Sequence, residues 1–295
     1  MKEVAVISGK GGVGKTSLVA SLASLAAAGH RLVLADCDVD APDLHLLLHP
    51  ELREVHEFRA SHKAFVDPES CLQCGRCAAY CRFDAIHAGQ VDPLSCEGCG
   101  VCQWVCPVGA ITLREELSGR WFISSTRYGP MVHAQMEPGE ENSGRLVTLI
   151  RQGARKVAER EEAGLVLTDG PPGIGCPVIA TLSGVDLALV VTEPTVSGVH
   201  DLKRVLDLCQ HFRVPAVACI NRYDLHSEGT DVIKNECHSR GLTIIGYLPY
   251  DPTATAAIRQ GRPVVEFPDS HLAVAVKEMW GRLEAFILAL SSPDF

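Results

Sequence analysis

Apolar runs of strand length alternate with longer stretches of helical spacing over most of the 295-residue chain. A continuous apolar run of about four to eight residues is typical of a strand that is buried on both faces, as in a parallel sheet. Such runs occupy residues 4–8, 32–35, 165–168, 187–192, 216–220 and 243–247. Helical stretches occupy residues 16–28, 145–162, 198–211 and 230–240. This alternation predicts an α/β fold with a doubly wound, mostly parallel sheet.

The alternation stops between about residues 57 and 113, where Val66–Cys71 (VDPESC) recurs 25 residues later as Val91–Cys96 (VDPLSC). A segment of about 50 residues builds only a small apolar core and needs other support. We therefore predict a main domain in two parts, 1–57 and 116–295, with a small α+β domain inserted at 58–115. Residues 121–123 and 131–134 are read as two further strands, and the polar stretch 137–144 as a loop.

Composition and charge narrow the class of protein. Hydrophobic residues make up 46% of the chain and charged residues 21%, the balance of a folded globular protein. Lys and Arg total 27 against 36 Asp and Glu, so the net charge of −9 argues against sequence-independent nucleic-acid binding. No apolar run approaches the roughly 18 residues of a membrane span, and the N-terminus is broken by glycine too early for a secretory signal. These features predict a cytoplasmic protein.

The first apolar run leads into Gly9-Lys10-Gly11-Gly12-Val13-Gly14-Lys15-Thr16, which fits the P-loop pattern G-x-x-x-x-G-K-[ST] between a strand and a helix. Its glycines let backbone N–H groups turn towards phosphate oxygens, and the following helix presents its positive end to the same anion. Lys15 is expected at the β and γ phosphates, the Thr16 hydroxyl at Mg²⁺, and Asp169, after the 165–168 run, near that magnesium. The predicted nucleotide-binding residues of the loop are Gly11, Gly12, Val13, Gly14, Lys15, Thr16 and Ser17.

Eight of the 13 cysteines fall between positions 71 and 106, in two runs with the spacing C-x₂-C-x₂-C-x₃-C. Disulfides are rare in cytoplasmic proteins, so metal ligation is the expected use. Cys106-Pro107 completes the second run in the manner of bacterial ferredoxins. Zinc, which paired C-x₂-C spacings also bind, is the alternative. The eight predicted ligands are Cys71, Cys74, Cys77, Cys81, Cys96, Cys99, Cys102 and Cys106.

The loop from Lys10 to Thr16 resembles the deviant Walker A motif of the MinD/ParA/Mrp class of ATPases. In that class an additional lysine, here Lys10, reaches the nucleotide of a partner subunit when two chains sandwich two ATP molecules. The resemblance therefore implies Mg²⁺-dependent ATP hydrolysis by a homodimer, with Lys10 and Lys15 as catalytic residues.

Further matches to this class cover about residues 1–57 and 145–270. Asp38 corresponds to the switch I aspartate that orients the attacking water, and is the third catalytic residue that the resemblance implies. Asp169–Gly173 resembles the switch II motif. Asn221, Pro249 and Asp251 resemble the elements that contact adenine.

The inserted segment resembles a ferredoxin with two [4Fe–4S] clusters, in which the fourth cysteine of each run ligates the cluster of the other run. Arg82 stands where the second repeat has Pro107, a departure expected to expose or retune the cluster that Cys81 binds. The resemblance implies one cluster on Cys71, Cys74, Cys77 and Cys106, and the other on Cys96, Cys99, Cys102 and Cys81.

A nucleotide switch and two electron carriers in one chain predict an ATPase coupled to electron transfer with an unidentified redox or iron–sulfur partner protein. One alternative is an iron–sulfur cluster carrier or scaffold of the Mrp type. Another is a MinD/ParA-like positioning ATPase with redox-sensing clusters. Its membrane anchor would be the amphipathic stretch 272–290, but this holds only Lys277 and Arg282 as basic residues, so docking on the sheet is expected instead.

Cys176 follows Asp169 by seven residues. This offset resembles that of a cysteine that binds a cluster shared between subunits in reductases like the nitrogenase iron protein. Packing in the switch II loop is the alternative role for Cys176.

Overall fold

The computed structural model describes residues 1–138, 140 and 143–290, and the chain there forms two compact units. The first, which we call the sheet unit, consists of Met1–Val55, Trp121–Gln135 and the described residues from Ser143 onward. The second, which we call the cysteine unit, consists of His56–Arg120 and the described residues of 136–142. The predicted insert at 58–115 falls inside the cysteine unit, which also takes in a later segment. Three residues of the predicted polar loop, at 139, 141 and 142, lie outside the described residues.

The strands and helices follow the predicted alternation closely. The strands are β1 (Lys2–Ser8), β2 (Leu32–Asp36), β3 (Glu51–Val66), β4 (Ile86–His87), β5 (Gln90–Val91), β6 (Ile111–Thr126), β7 (Gly129–Met136), β8 (Leu165–Pro172), β9 (Leu187–Thr192), β10 (Ala216–Asn221) and β11 (Thr243–Leu248). The helices are α1 (Lys15–Ala26), α2 (Leu44–Leu48), α3 (Arg76–Ala79), α4 (Val101–Val105), α5 (Ser143–Arg160), α6 (Cys176–Leu182), α7 (Val196–His211), α8 (Ser227–Ser239), α9 (Thr253–Arg259) and α10 (His271–Ala289), with a 3₁₀ turn at Val264–Glu266.

Nine of these strands form one sheet, in the order β11-β10-β9-β1-β8-β2-β7-β6-β3. The central strand β1 pairs in parallel with β8 and β9, while β10 pairs in parallel with β9 and β11, and β2 with β8 and β7. The predicted mostly parallel α/β sheet is therefore confirmed. Because paired parallel strands end on the same side, the residues that follow β1, β2, β8, β9, β10 and β11 gather at one edge of the sheet, where ligands bind in such folds.

The apolar core lies on both faces of this sheet. Along β1, Val4 and Val6 face a cluster that includes α1 and α10, whereas Ala5 and Ile7 face a cluster that includes α6, α7 and α8. Successive strand residues point to opposite faces, so a strand covered on both sides has to be apolar throughout. This explains the continuous runs in the sequence.

Helix α10 packs its apolar side against β11, as the sequence predicts for this stretch. A Cβ atom at Gly246 would lie 2.6 Å from Cγ of Met279, so only glycine allows the helix to approach this closely. Arg282 adds a hydrogen bond from Nη1 to the carbonyl oxygen of Ile245, at 3.0 Å. Within the described part of the chain, no helix combines the length and apolar character needed to cross a membrane.

Two long strands were not predicted in full. Strands β3 and β6 have 16 residues each, and only residues 121–123 of β6 were expected to be a strand. Much of both strands is exposed or half-buried, and their sequences mix charged and apolar residues instead of forming a continuous apolar run. Exposed strands at a sheet edge carry a weaker apolar signal than central ones.

The cysteine unit is built from two related halves. Gly75 (φ 73°) and Gly100 (φ 77°) occupy the same place in each repeat, in the left-handed conformation that favours glycine, and precede α3 and α4. Backbone hydrogen bonds cross between the repeats, because Asp67 N–H donates to the carbonyl of Ala110 and Asp92 N–H to that of Ala85, both at 2.8 Å. A small apolar core includes Ile86.

Candidate functional site

The P-loop connects β1 to α1 at the carboxyl edge of the sheet. Gly12 (φ 79°) and Gly14 (φ 87°) both adopt the left-handed conformation that other residues rarely reach. Two such turns within three residues curl the backbone at the start of α1, where free N–H groups and the helix dipole favour an anion. Of the other predicted loop residues, Gly11 is exposed, Val13 is buried, and Thr16 and Ser17 are half-buried in the first turn of α1.

Lys15 lies at the centre of the site, among carboxylates from two neighbouring strands. Its Nζ is 2.6 Å from Oδ1 of Asp169, within β8, and 3.6 Å from Oδ2 of Asp38, after β2. Burial disfavours the charged amine, but these carboxylates hold the pKa of Lys15 above its usual value. Burial also raises the pKa of Asp38, to about 6, although Lys15 opposes the shift. The structure thus brings three of the predicted site residues into contact.

Asp36 is a further buried carboxylate at this point, at the end of β2. Burial and the nearby charge of Asp169 raise the pKa of Asp36 well above its usual value. Among the described residues, no hydrogen-bond donor reaches Oδ2 of Asp36 or Oδ2 of Asp169, although both atoms are buried. Unpaired buried carboxylate oxygens are costly, and carboxylates are ligands that Mg²⁺ prefers. The residues present therefore fit a magnesium ion, which the carboxylates of Asp169 and Asp36 would hold. The hydroxyl of Thr16, the residue after Lys15, is the further ligand expected from the sequence.

Lys10 is bound within its own chain. Its Nζ lies 2.7 Å from Oε1 of Glu193 and donates hydrogen bonds to Thr195 Oγ1 and Ser197 Oγ, both at 3.0 Å. Glu193, which is buried, also accepts a hydrogen bond from Arg222 at 2.9 Å. Sequence reasoning missed Glu193 and Arg222. Their positions in the sequence could have indicated them. Glu193 directly follows the predicted strand 187–192, and Arg222 follows Asn221 at the end of the predicted strand 216–220.

A cavity of about 120 Å³ opens beside the P-loop and has mostly apolar walls. The predicted base-contacting residues Asn221, Pro249 and Asp251 all line it, as does Gly14. Asn221 Nδ2 donates to the carbonyl of Val13 at 2.7 Å, which ties the cavity to the P-loop.

The carboxylate of Asp251 is already engaged. It accepts hydrogen bonds from Thr253 N at 2.8 Å, Ser270 Oγ at 2.7 Å and Leu272 N at 3.3 Å. Burial alone would raise the pKa of Asp251, but these bonds hold it well below its usual range. Asp251 therefore fixes the starts of α9 and α10, and so shapes the cavity wall.

The eight cysteines of the repeat surround two cavities in the cysteine unit. Each cavity draws three cysteines from one repeat and one from the other. The first cavity, of about 250 Å³, is lined by Cys71, Cys74, Cys77 and Cys106. The second cavity is lined by Cys96, Cys99, Cys102 and Cys81. These two groups contain the same cysteines as the two ligand sets that the ferredoxin resemblance implies.

Backbone N–H groups also point at the cysteine sulfurs. Ala85 N–H lies 3.4 Å from Cys81 Sγ, and at the equivalent place in the other repeat Ala110 N–H lies 3.3 Å from Cys106 Sγ. Hydrogen bonds to sulfur are a principal means of tuning iron–sulfur clusters. The donor set of four thiols and N–H groups fits a cluster at each cavity.

The two cavities differ in size. The second, of about 20 Å³, is the smaller of the two. Gly98 lies close to the backbone of His62, and a Cβ at this position would overlap the carbonyl oxygen of His62. Among the described residues, no three His, Cys, Asp or Glu side chains converge closely enough to hold a single metal ion.

Cys176 is exposed at the start of α6 in the sheet unit, just after the Asp169–Gly173 segment. A Cβ on Gly144, at the start of α5, would lie 3.2 Å from the Cys176 backbone. The shared-cluster role of Cys176 stays a prediction, because a single chain can show only half of such a site.

Comparison with known proteins adds an independent line of evidence. A family model described as the CobQ/CobB/MinD/ParA nucleotide binding domain matches residues 4–264. The uncharacterized protein MJ0578 of Methanocaldococcus jannaschii is 33% identical over 293 residues, 97% of each chain. The iron–sulfur cluster carrier protein of Pyrococcus horikoshii is 24% identical over 302 residues, which cover 95% of this chain and 85% of its own. The solved structure of the Pyrococcus furiosus cell division ATPase MinD has a similar fold, with a TM-score of 0.59 and 18% identity over 97% of this chain and 99% of that one.

Proposed function

Because the chain belongs to the CobQ/CobB/MinD/ParA nucleotide-binding family, we propose that it is an ATPase whose nucleotide-switched homodimer is coupled to electron transfer through two [4Fe–4S] clusters. MinD and ParA proteins of this family are ATPases, so ATP and Mg²⁺ are the ligands that membership itself implies at the P-loop. The observation that carries the rest is the set of two crossed four-cysteine cavities in the same chain as that P-loop.

In the proposed cycle, Lys15 binds the β and γ phosphates and Thr16, Asp36 and Asp169 hold the magnesium ion. Asp38 orients the attacking water, and its contact with Lys15 keeps the carboxylate next to the phosphate position. The cavity at Asn221, Pro249 and Asp251 receives the base. Bound Mg²⁺ would supply the positive charge that offsets phosphate and carboxylate repulsion during hydrolysis.

The homodimer gives Lys10 its role. MinD and ParA relatives form ATP-dependent dimers, which supports a homodimer here. In the isolated chain Lys10 is bound to Glu193, Thr195 and Ser197 of its own fold. Reaching a partner's nucleotide requires Lys10 to leave these contacts, so ATP-dependent association competes with the contacts that Lys10 makes within its own chain.

The cluster assignment has a direct test in paired substitutions. Replacing Cys71 and Cys106 together by serine removes ligands of one cluster only, so the protein should keep half of its iron. Replacing Cys71 and Cys81 removes one ligand from each cluster, so nearly all stable iron should be lost. The opposite pattern would show that each run holds its own cluster, and equal loss in both variants would argue against two independent sites.

The coupling has a separate test, in the rate of ATP hydrolysis by anaerobically purified protein with its clusters oxidised and then reduced by dithionite. We expect different rates in the two states, because nucleotide-dependent switch movement and cluster potential are linked in the proposal. Lys15→Met, which loses the phosphate contact, is the matched inactive control. Equal rates at full iron occupancy, with or without a candidate partner protein, would refute the coupling.

A cluster carrier is the second candidate, and the named carrier from Pyrococcus horikoshii favours it. Cys74 and Cys99 are exposed, as transfer of a cluster would require. The two proposals differ in lability. A carrier should release iron to an acceptor or chelator within minutes, whereas the internally crossed sites proposed here should retain it.

A further inference from the structure

The repeat in the cysteine unit provides an internal comparison between its two cavities. Residues 25 positions apart take equivalent places next to the first cysteine of the opposite repeat. Ala64 N–H donates to Cys96 Sγ at 3.4 Å, and the equivalent Gly89 lies next to Cys71, since a Cβ on it would be 3.8 Å from Cys71 Sγ. A residue that differs between two equivalent positions therefore affects one cavity and not the other.

One of these differences is a charge. Lys63, immediately before Ala64, donates a hydrogen bond from Nζ to the carbonyl oxygen of Cys96 at 3.0 Å. The equivalent of Lys63 in the other repeat is Ala88, which is exposed and uncharged. Lys63 is mostly buried, with 14% of its side chain exposed, so its charge is poorly screened by solvent.

Lys63 has a partner from the later segment of the cysteine unit. Glu140 Oε1 lies 3.4 Å from Lys63 Nζ, and only 10% of the Glu140 side chain is exposed. Lys63 donates directly to the cysteine loop, whereas the ion-pair contact of Glu140 is with Lys63. The positive member of the pair is therefore the one in contact with the cysteine site.

We propose that the Lys63–Glu140 pair raises the reduction potential of the cluster on Cys81, Cys96, Cys99 and Cys102 above that of the cluster on Cys71, Cys74, Cys77 and Cys106. This inference rests on the proposed function, in which both cavities hold clusters. Reduction adds one negative charge to a cluster, and a buried ammonium group in contact with its ligand loop stabilises that charge.

The other charges near the cysteines are exposed and weaker in effect. Arg76, close to Cys106, and Arg82 and Glu97, next to Cys81 and Cys96, are all in contact with solvent, which screens them. The Lys63–Glu140 pair therefore sets which of the two clusters is reduced first. A single electron entering from a one-electron donor protein comes to rest on the cluster next to Lys63, with no bond made or broken.

The test is a redox titration of the anaerobic holoprotein, with dithionite as reductant and electron paramagnetic resonance as readout. The wild-type protein should show two one-electron waves that differ at least tenfold in their reduction equilibrium, or about 59 mV. Lys63→Met should lower the potential of the higher wave only, and Glu140→Gln should raise the potential of that same wave. Lys63→Arg, which keeps the positive charge, should leave both potentials close to those of the wild-type protein. Ala88→Lys should raise only the lower wave, by less, because that position is exposed.

The double variant Lys63→Met/Glu140→Gln covers the case in which Lys63→Met fails to fold, because it leaves no buried charge unpaired. It should still lower the higher wave and narrow the gap between the two. Coincident waves in the wild-type protein, or equal movement of both waves in the variants, would overturn this inference and leave the proposed function standing. Iron and sulfide analysis showing no clusters would instead overturn the proposed function.

Discussion

Replacing Glu193 by glutamine should strengthen ATP-dependent dimerisation, because Glu193 holds Lys10 inside its own chain. The ion pair is 2.7 Å long and partly buried, with 28% of the Lys10 side chain and 11% of the Glu193 side chain exposed. A hydrogen bond to a charged group contributes about 1.5–3 kcal/mol, and partial exposure places this one near the lower end. Glutamine keeps an acceptor oxygen, so the substitution should weaken the interaction between Lys10 and residue 193 by about 1 kcal/mol in each chain.

Two lysines must be released to form one dimer, so the expected gain is about 2 kcal/mol, or roughly 30-fold in the dimer dissociation constant. Sedimentation velocity with a non-hydrolysable ATP analogue measures this constant. Ser197→Ala removes one hydrogen bond that the same ammonium donates to a hydroxyl at an exposed site. Because Glu193 and Thr195 still hold Lys10, the dimer dissociation constant should change by no more than about threefold.

Arg222→Met separates the two ion pairs of Glu193, since it removes the arginine and keeps the contact with Lys10. The dimer dissociation constant of the Arg222→Met variant should stay close to that of the unmodified chain. A Glu193→Gln protein that dimerises no better than the parent, or less well, would refute the idea that the contact within the chain opposes association.

Three further predictions concern stability. Glu3→Gln should destabilise the sheet unit by about 3–5 kcal/mol, because it removes the negative charge that pairs with the buried Arg151 at 2.7 Å. Glu162→Gln, on the exposed pair with Arg31, should cost under about 1 kcal/mol, and urea unfolding compares the two variants. The pKa of Asp38 is raised to about 6 from about 3.9 when unfolded, so the nucleotide-free protein should lose stability as the pH rises from about 4 to 6, and Asp38→Asn should remove that loss. Mg-ADP at 100 times its dissociation constant should stabilise the parent by about 2.7 kcal/mol but not Lys15→Met, as thermal unfolding would detect.

The sequence predicted the central sheet because its strands are buried on both faces, which leaves uninterrupted apolar runs such as 187–192. It did not predict most of β3, whose 16 residues alternate irregularly between charged and apolar side chains. It also placed the insert boundary from the repeat alone, and so missed that Glu140, far along the chain, packs beside Lys63. Contacts of this kind depend on tertiary packing and leave no local pattern.

The site shows the same division. Motif spacing located Lys15 and the cysteines, because a phosphate loop and a four-thiol set each need fixed short spacings. Glu193 has no motif, and its role appears only when the order of strands puts β9 beside β1. Asp251 lines the cavity proposed for the base, but its carboxylate also accepts hydrogen bonds at the starts of two helices, a role that no sequence motif indicates.

The crossed cysteine sets have a consequence for how such a unit could arise. In the proposed two-cluster arrangement, a single repeat offers three cysteines to one centre and directs its fourth towards another, so on its own it can complete a cluster only by pairing with a second copy. Joining two copies in tandem replaces that encounter, which depends on concentration, by an intramolecular one with a high effective concentration. Once joined, the copies are free to diverge, and a residue such as Lys63 can alter one centre while its counterpart at position 88 leaves the other unchanged.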